Sequence, residues 1–247
     1  MTLDVRLFPC LNDNYGILVR DTQTGTVATI DTPDAAAILA DLEASGWGRL
    51  DLILNTHWHP DHTQGAEAVK AQTGCRIVGP EESTRVVALD QVLSDGDQVN
   101  LGEARFDVIH TPGHTLGHIV FIDRRGGEAF VGDTLFALGC GRLFEGTPEQ
   151  MFESLNRLGA LPDDTRIWCA HEYTAANARF ALSLGETDAG LRADLEAHAR
   201  DIFSLREAGQ PTVPTILARE KRLNPFMKAE SAADFAALRA AKDAFKG

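Results

Sequence analysis

Short apolar runs alternate with turn formers and with helical periodicity over the first two thirds of the chain. "YGILVRD" and "GTVATIDTP" are apolar runs of strand length on either side of the turn "TQTG". "PDAAAILADLEASGWG" then places apolar residues at helical spacing, and Gly46 is positioned to end that helix. "LDLILN" (50–55) is a continuous apolar run, which predicts a strand buried on both faces.

The same alternation continues as far as residue 171. "GAEAVKAQTG" predicts a helix and "CRIVGP" a strand, and the segment "FDVIHTPGHTLGHIVFIDRRGGEAFVGDTLF" contains three strand-like pieces with "RRGG" as a hairpin turn. Thr147, Pro148 and Gln150 have the spacing of a capping box and mark the start of a helix. "RIWCAH" (166–171) is the last predicted strand.

From about residue 174 the pattern is mainly helical. "TAANARFALSLG", "DAGLRADLEAHARDIFSLREAG" and "SAADFAALRAAKDAFK" have helical patterns, separated by the proline-marked "GQPTVPTILAREKRLNPF". Strands alternating with helices, followed by helices alone, predict an α/β domain with a helical C-terminal addition.

Composition and charge narrow the class of protein. The formal net charge of −13 in 247 residues, without a compensating basic run, argues against a nucleic-acid or membrane-surface binder. The four cysteines are far apart and form no CxxC pair, so we expect reduced thiols and a cytoplasmic protein. The start "MTLDVRLFPCLNDNYG" lacks the features of a signal or transit peptide, and no apolar run has membrane-spanning length.

Polar clusters follow four of the predicted strands: "THWHPDH", "HTPGHT", "GDT" and "AHEY". Loops at strand ends are where rigid sheets commonly position functional groups. The clusters supply seven candidate metal ligands: His57, His59, Asp61, His62, His114, Asp133 and His171. Seven donors exceed what one tetrahedral zinc needs, so they favour two ions that share a ligand. Imidazole with carboxylate suits zinc, iron or manganese better than calcium or magnesium.

Two neighbouring cations would explain this composition chemically. A divalent ion lowers the pKa of a bound water and polarises a substrate oxygen, and the expected reaction is therefore hydrolysis. The alternative, an accidental polar loop around His57, does not account for three further donors at other strand ends.

Four other polar residues have open interpretations. His110 is expected to be structural, and His198 to be solvated on its helix. His118 is either hydrogen-bonded near the site or a satisfied core histidine. Asp31, at the end of "VATI", either supports the metal loop or caps a turn.

The HxHxDH run after a buried strand, followed in order by "TPGHTLGH", "GDTLF" and "HEYT", resembles the metallo-β-lactamase superfamily. "GCGRLFEGT", "AHEYT" and "NPF" extend the resemblance to the glyoxalase II (hydroxyacylglutathione hydrolase) family, over nearly the whole chain. The resemblance implies an αββα sandwich at residues 1–172, the catalytic domain, and a helical glutathione-binding domain at residues 173–247.

The resemblance also implies roles for individual residues. One metal would be held by His57, His59 and His114, and the other by Asp61, His62 and His171, with Asp133 bridging and with Asp61 and Asp133 as the catalytic carboxylates. Glutathione would be bound by Arg142, Tyr173, Arg239 and Lys242. Arg239 and Lys242 are three residues apart and so share a helix face, which without the resemblance would be interpreted as an ordinary solvated face. Phe144 stands where many family members have tyrosine, so this chain lacks one hydroxyl that the resemblance would place at the glutathione site.

The activity implied is hydrolysis of S-D-lactoylglutathione to glutathione and D-lactate, the second step of methylglyoxal detoxification. The expected enzyme is a monomer with two divalent ions, which would be zinc, with iron or manganese as alternatives. Three other classes remain as alternatives. A glutathione persulfide dioxygenase would use a single iron and is expected to lack the helical tail. A β-lactamase is expected to lack the bridging Asp133 and to be exported. A non-catalytic zinc protein would need only a closed, four-coordinate site.

Overall fold

The computed structural model describes residues 3–247, so the first two residues of the predicted catalytic domain lie outside the described residues. The chain divides into two compact units. One contains the described residues through His110 together with Leu116–Gly132, and the other contains Thr111–Thr115 and Asp133–Gly247. None of the helices found in residues 3–247 is both long and apolar enough to span a bilayer.

The first unit contains a six-stranded sheet whose strands lie in chain order. Its first three strands pair antiparallel, and the third to sixth pair parallel, with Ile30 opposite Leu54. The strands are β1 (Leu3–Cys10), β2 (Asn14–Asp21), β3 (Val27–Ile30), β4 (Leu52–Leu54), β5 (Arg76–Pro80) and β6 (Gln91–Leu93).

Helices cover this sheet and bury its apolar face. They are α1 (Ala35–Ser45), α2 (Pro60–Thr63) and α3 (Ala66–Thr73), with a 3-10 helix at Glu81–Arg85. Gly46 ends α1 in the left-handed region at φ 69°, as the sequence predicted. Ile38 of α1 and Ile53 of β4 are fully buried in one apolar cluster, where each such side chain contributes about 1.5–3 kcal/mol.

Four further strands of the first unit form an antiparallel ladder: β7 (Gln98–Leu101), β8 (Ala104–His110), β9 (Ile119–Asp123) and β10 (Glu128–Gly132). The predicted hairpin turn "RRGG" joins β9 to β10, with Gly127 at φ 69°. Every residue of β9 and β10 is buried, including the charged Asp123 and Glu128 that flank the apolar runs of the two strands.

The second unit is mainly helical. Its strands are β11 (Leu135–Phe136), β12 (Gly139–Cys140), β13 (Arg166–Cys169) and β14 (Thr215–Ile216), and its helices are α4 (Pro148–Gly159), α5 (Thr174–Ser183), α6 (Ala189–Glu207), α7 (Leu217–Leu223) and α8 (Ala232–Ala244). The capping box predicted at Thr147 is present at the start of α4. Helices α5 and α6 pack around Ala178, Leu195 and Ile202. The helical region predicted after residue 174 is confirmed, apart from the two-residue β14.

Candidate metal centre

Four of the predicted ligands follow β4 in the first unit: His57 and His59 lie in the loop after the strand, and Asp61 and His62 lie in α2. β4 ends at Leu54, and Pro60 starts α2 at a position where its missing N–H costs nothing. The change from strand to helix places the four side chains close to one another. His57 and His62 are fully buried, whereas His59 and Asp61 are partly exposed. The buried imidazoles need polar partners, and the partly exposed groups leave a route for solvent or a ligand.

The candidate ligand atoms of these four residues have the spacing expected around a metal ion. His57 Nε2 lies 3.1 Å from His59 Nδ1, and His62 Nε2 lies 3.5 Å from Asp61 Oδ2. Metal–nitrogen bonds of about 2.0–2.1 Å in a tetrahedron place neighbouring ligand atoms about 3.3–3.4 Å apart. The residues present therefore fit a divalent ion.

Asp31 organises this loop from the end of β3. Its Oδ1 accepts hydrogen bonds from Thr56 N at 2.7 Å and from Asn55 Nδ2 at 3.0 Å. Its Oδ2 accepts from Thr56 Oγ1 at 2.7 Å and from His62 Nδ1 at 2.8 Å. Asp31 is buried and adopts φ 56°, a conformation that aspartate tolerates better than most residues. Of its two sequence interpretations, support of the metal loop is confirmed.

The Asp31 contacts fix which nitrogen of each histidine is available. A carboxylate only accepts, so His62 Nδ1 carries the proton and Nε2 keeps its lone pair. Thr56 Oγ1 donates to Asp31, so it accepts from His57 Nδ1 at 3.0 Å, and His57 Nε2 likewise keeps its lone pair. Such partners orient metal-binding imidazoles and raise their basicity.

Two further residues of the first unit complete this surrounding shell. Asn14, at the start of β2, donates from Nδ2 to Asp61 Oδ2 at 3.0 Å, a role the sequence interpretation missed. Its only signal was a polar residue directly before an apolar strand. His118 is buried and stacks on His57 with ring centroids 4.9 Å apart, so it packs against one of the predicted ligands. A Cβ at Gly132, which adopts φ 48°, would lie 2.7 Å from both Thr56 Oγ1 and His118 Nε2, so this packing requires glycine.

The second unit brings the remaining three predicted ligands together around Asp133. His114 Nε2 lies 3.3 Å from Asp133 Oδ2, and His171 Nε2 lies 3.4 Å from Asp133 Oδ1. All three residues are buried. His114 Nδ1 donates to the carbonyl of Arg142 at 2.8 Å, which leaves its Nε2 lone pair facing Asp133. One carboxylate with a histidine at each oxygen is the arrangement that a bridging ligand requires.

Two aromatic residues cover the histidines of the second unit. Tyr173 stacks on His171 at 4.8 Å with the ring planes 4° apart, and it is partly exposed. Phe144 meets His114 edge to face at 5.3 Å and is 61% exposed. This exposed apolar ring presents no hydroxyl to a ligand.

The three predicted binding cations also lie in the second unit. Arg239 is buried in α8, and its Nη1 donates to Cys140 O at 3.1 Å. Lys242 is half-buried, and its Nζ donates to Ala176 O at 3.0 Å. Burial and the neighbouring Arg239 lower the pKa of Lys242 to about 8. Arg142 is largely exposed in the loop after β12. The alternative interpretation of Arg239 and Lys242, an ordinary solvated helix face, therefore does not hold.

Two further histidines and one cysteine lie outside the predicted set of metal ligands. His110 Nε2 donates to Leu116 O at 2.8 Å, as expected of a structural histidine. His198 is half-buried and burial lowers its pKa to about 4, so the prediction of a solvated side chain is wrong. Cys169 is fully buried, and this burial raises the pKa of its thiol to about 12, which makes the thiol unreactive.

Comparison with known families places the chain in two adjoining matches. Residues 24–171 match the metallo-beta-lactamase superfamily, and residues 172–245 match the hydroxyacylglutathione hydrolase C-terminus. A protein named hydroxyacylglutathione hydrolase from Maricaulis maris is 50% identical over 230 residues, covering 93% of this chain and 88% of its own. A protein of the same name from Erythrobacter litoralis is 46% identical and covers 98% of this chain and 100% of its own.

Solved structures agree on the fold. ETHE1 from Myxococcus xanthus superposes with a TM-score of 0.72 at 27% identity, covering 96% of this chain and 90% of that chain. The histidine and aspartate clusters and the superfamily together support binding of divalent metal. The fold is the metallo-β-lactamase fold with a C-terminal helical domain, and the chain belongs to the hydroxyacylglutathione hydrolase family within that superfamily.

Proposed function

We propose that this protein hydrolyses glutathione thioesters of 2-hydroxy acids, with S-D-lactoylglutathione as the substrate and glutathione and D-lactate as products. The observation that carries the proposal is the near-full-length identity of 50% and 46% to two proteins named hydroxyacylglutathione hydrolase. The match of the C-terminal helices to that enzyme's own C-terminal family supports it independently of the metal motif. It also disfavours the glutathione persulfide dioxygenase alternative.

The proposed metal centre holds two divalent ions, zinc first, with iron or manganese possible. His57, His59 and His114 would bind one ion, Asp61, His62 and His171 the other, and Asp133 would bridge them. The donor spacings of 3.1–3.5 Å within each unit support this assignment. When bound, such ions supply a hydroxide near neutral pH and polarise the thioester carbonyl.

The chain's own residues would prepare this chemistry. Asp31 and Thr56 hold the lone pairs of His62 and His57 toward the site. Asn14 fixes the Asp61 carboxylate, which is proposed to orient the attacking hydroxide as well as to bind metal. Because a thiolate leaves readily near neutral pH, the reaction needs no separate general acid.

The proposed glutathione site uses Arg142, Tyr173, Arg239 and Lys242. In the part of the chain that the structure describes, Arg239 Nε is buried without a hydrogen-bond partner, whereas the Lys242 side chain is only half-buried. Lys242 and Arg239 are suited to charge-assisted hydrogen bonds with the glycine carboxylate of glutathione.

We further propose that residues 1–172 form the catalytic domain and residues 173–247 the glutathione-binding domain. The meeting of the two family matches between residues 171 and 172 supports this division. A cytoplasmic location is supported by four unpaired, buried cysteines. A monomer remains the proposed state.

Steady-state assays would test the proposed function. The metallated protein is expected to release glutathione from S-D-lactoylglutathione, and to consume no oxygen with glutathione persulfide. Oxygen consumption with an inert thioester would favour the dioxygenase instead. A metallated protein inactive on both would leave the metal site standing but refute the substrate.

A further inference from the structure

One carboxylate in α8 contacts two of the proposed glutathione-binding cations. Asp243 Oδ1 lies 2.8 Å from Arg239 Nη2, one helical turn away, and 3.4 Å from Arg142 Nε in the loop after β12. Both arginines therefore converge on a single oxygen. No role for Asp243 follows from the metal centre or from the motifs of the sequence.

Arg239 needs this counter-ion. It is 8% exposed and lies over the ring of Phe226 at 5.2 Å, so a cationic guanidinium is largely removed from water here. A buried charge is tolerated when it is paired and hydrogen-bonded. Cys140 O and Asp243 Oδ1 supply those contacts and fix the orientation of the guanidinium.

Arg142 is held from two directions. Its carbonyl accepts the hydrogen bond from His114 Nδ1, so its backbone is part of the support of a proposed metal ligand. A Cβ at Gly141 would lie 1.9 Å from Asp133 O, which shows how closely this loop packs on the site. The Arg142 side chain is 58% exposed, and its contact with Asp243 restrains it toward α8.

We propose that Asp243 is a positioning residue for the glutathione end of the substrate, a conclusion that rests on the proposed function. It holds the Arg142 and Arg239 guanidiniums together before substrate arrives, so that less side-chain ordering remains when the glycine carboxylate binds. Its own charge does not prevent anion binding, because three cations and one carboxylate (Arg142, Arg239, Lys242 and Asp243) give a local charge of +2. The proposal is that the preorganisation of the two arginines outweighs the repulsion between the Asp243 carboxylate and the glycine carboxylate.

The test compares two substrates that differ only at the glycine end. KM and kcat of the full-length, metallated Asp243→Asn protein would be measured with S-D-lactoylglutathione and with its glycine ethyl ester. We expect KM for the free acid to rise about fivefold to twentyfold with kcat within about twofold, and KM for the ester to change little. Asp194→Asn, which removes an exposed ion pair with Arg222 in the same unit, is the matched control and should change neither.

Two further measurements separate positioning from loss of structure. Calorimetric binding of glutathione itself should weaken in parallel with the rise in KM. Asp243→Glu keeps the charge but displaces the carboxylate by one methylene, so it should give an intermediate rise for the free acid only. This variant carries the test if Asp243→Asn does not fold.

An unchanged or lower KM for the free acid would overturn the inference, as would an equal rise for acid and ester. Either result with an active wild-type enzyme leaves the proposed function intact. A wild-type protein that cleaves neither thioester would instead refute the proposed function, and the role of Asp243 with it.

Discussion

Asp31→Asn should weaken metal binding although Asp31 is not among the proposed ligands. The substitution keeps the size of the side chain and its acceptor toward Asn55 Nδ2 and Thr56 N. It replaces Oδ2 by an amide that donates, opposite His62 Nδ1 and Thr56 Oγ1. His62 then accepts at Nδ1 and carries its proton on Nε2, the nitrogen that should bind metal. Thr56 becomes free to donate to His57 Nδ1, which moves the proton of His57 to its own Nε2.

The size of the effect follows from the number of ligands disturbed. Loss of one outer partner of a metal-binding histidine typically costs about 10–100-fold in affinity. Because Asp31 acts on two histidines, directly on His62 and through Thr56 on His57, we expect a loss of at least about 100-fold, or about 2.7 kcal/mol. The fold should lose only about 1–3 kcal/mol from the disturbed hydrogen bonds.

Competition against a chromophoric zinc chelator at neutral pH would measure this loss, with circular dichroism to confirm folding. Asp21→Asn is the matched control. Asp21 is fully buried in the same unit and accepts from Thr24 Oγ1 at 2.6 Å and Glu103 N at 2.8 Å, with no histidine among these bonds. The control should lose stability but keep its zinc affinity. A folded Asp31→Asn protein with wild-type affinity would refute the reasoning.

Three further predictions concern the bridge, the substrate cation and the helical unit. Asp133→Ala should lose both metals and more than about 100-fold in activity, because both His114 and His171 face that carboxylate; full metal content after gel filtration would contradict a shared ligand. The pKa of Lys242, lowered to about 8, means that the free enzyme loses this positive charge as pH rises through that value, so kcat/KM should fall above about pH 8. Lys242→Arg should remove the fall, and an unaltered profile would count against Lys242 as a substrate cation. Glu220→Ala should lower the free energy of unfolding by at least about 3 kcal/mol, since this fully buried carboxylate accepts from Leu138 N, Thr215 Oγ1 and Asn224 Nδ2; chemical denaturation with Glu220→Gln as the milder control would check it.

Local sequence signals were sufficient for the elements that place the metal ligands. Leu52–Leu54 and Arg166–Cys169 are mainly apolar strands, each followed within three residues by a histidine. Pro60 starts a helix between His59 and Asp61. Apolar runs, capping residues and turn formers determine local structure over a few neighbouring positions. They therefore predict strands, helix ends and turns without knowledge of the tertiary fold.

Contacts between distant residues could not be predicted in this way. Asn14 reaches Asp61 across 47 positions, and the carboxylate of Asp243 meets Arg142 across 101. Asp31 could be narrowed only to two interpretations, because the choice depends on which donors surround its oxygens. The half-burial of His198 likewise depends on packing that a helix rich in charged residues does not reveal. The short edge strand Gln91–Leu93 carries too few residues for a period to be recognised.

The central claim is a binuclear hydrolase of glutathione thioesters, and zinc titration of the metal-free protein tests it most directly. The rate of S-D-lactoylglutathione hydrolysis would be followed as zinc is added, with bound metal determined on the same samples. The account predicts that activity rises until about two ions are bound per chain. Activity that is complete at one ion, or a protein that binds two ions and leaves the thioester intact, would contradict it.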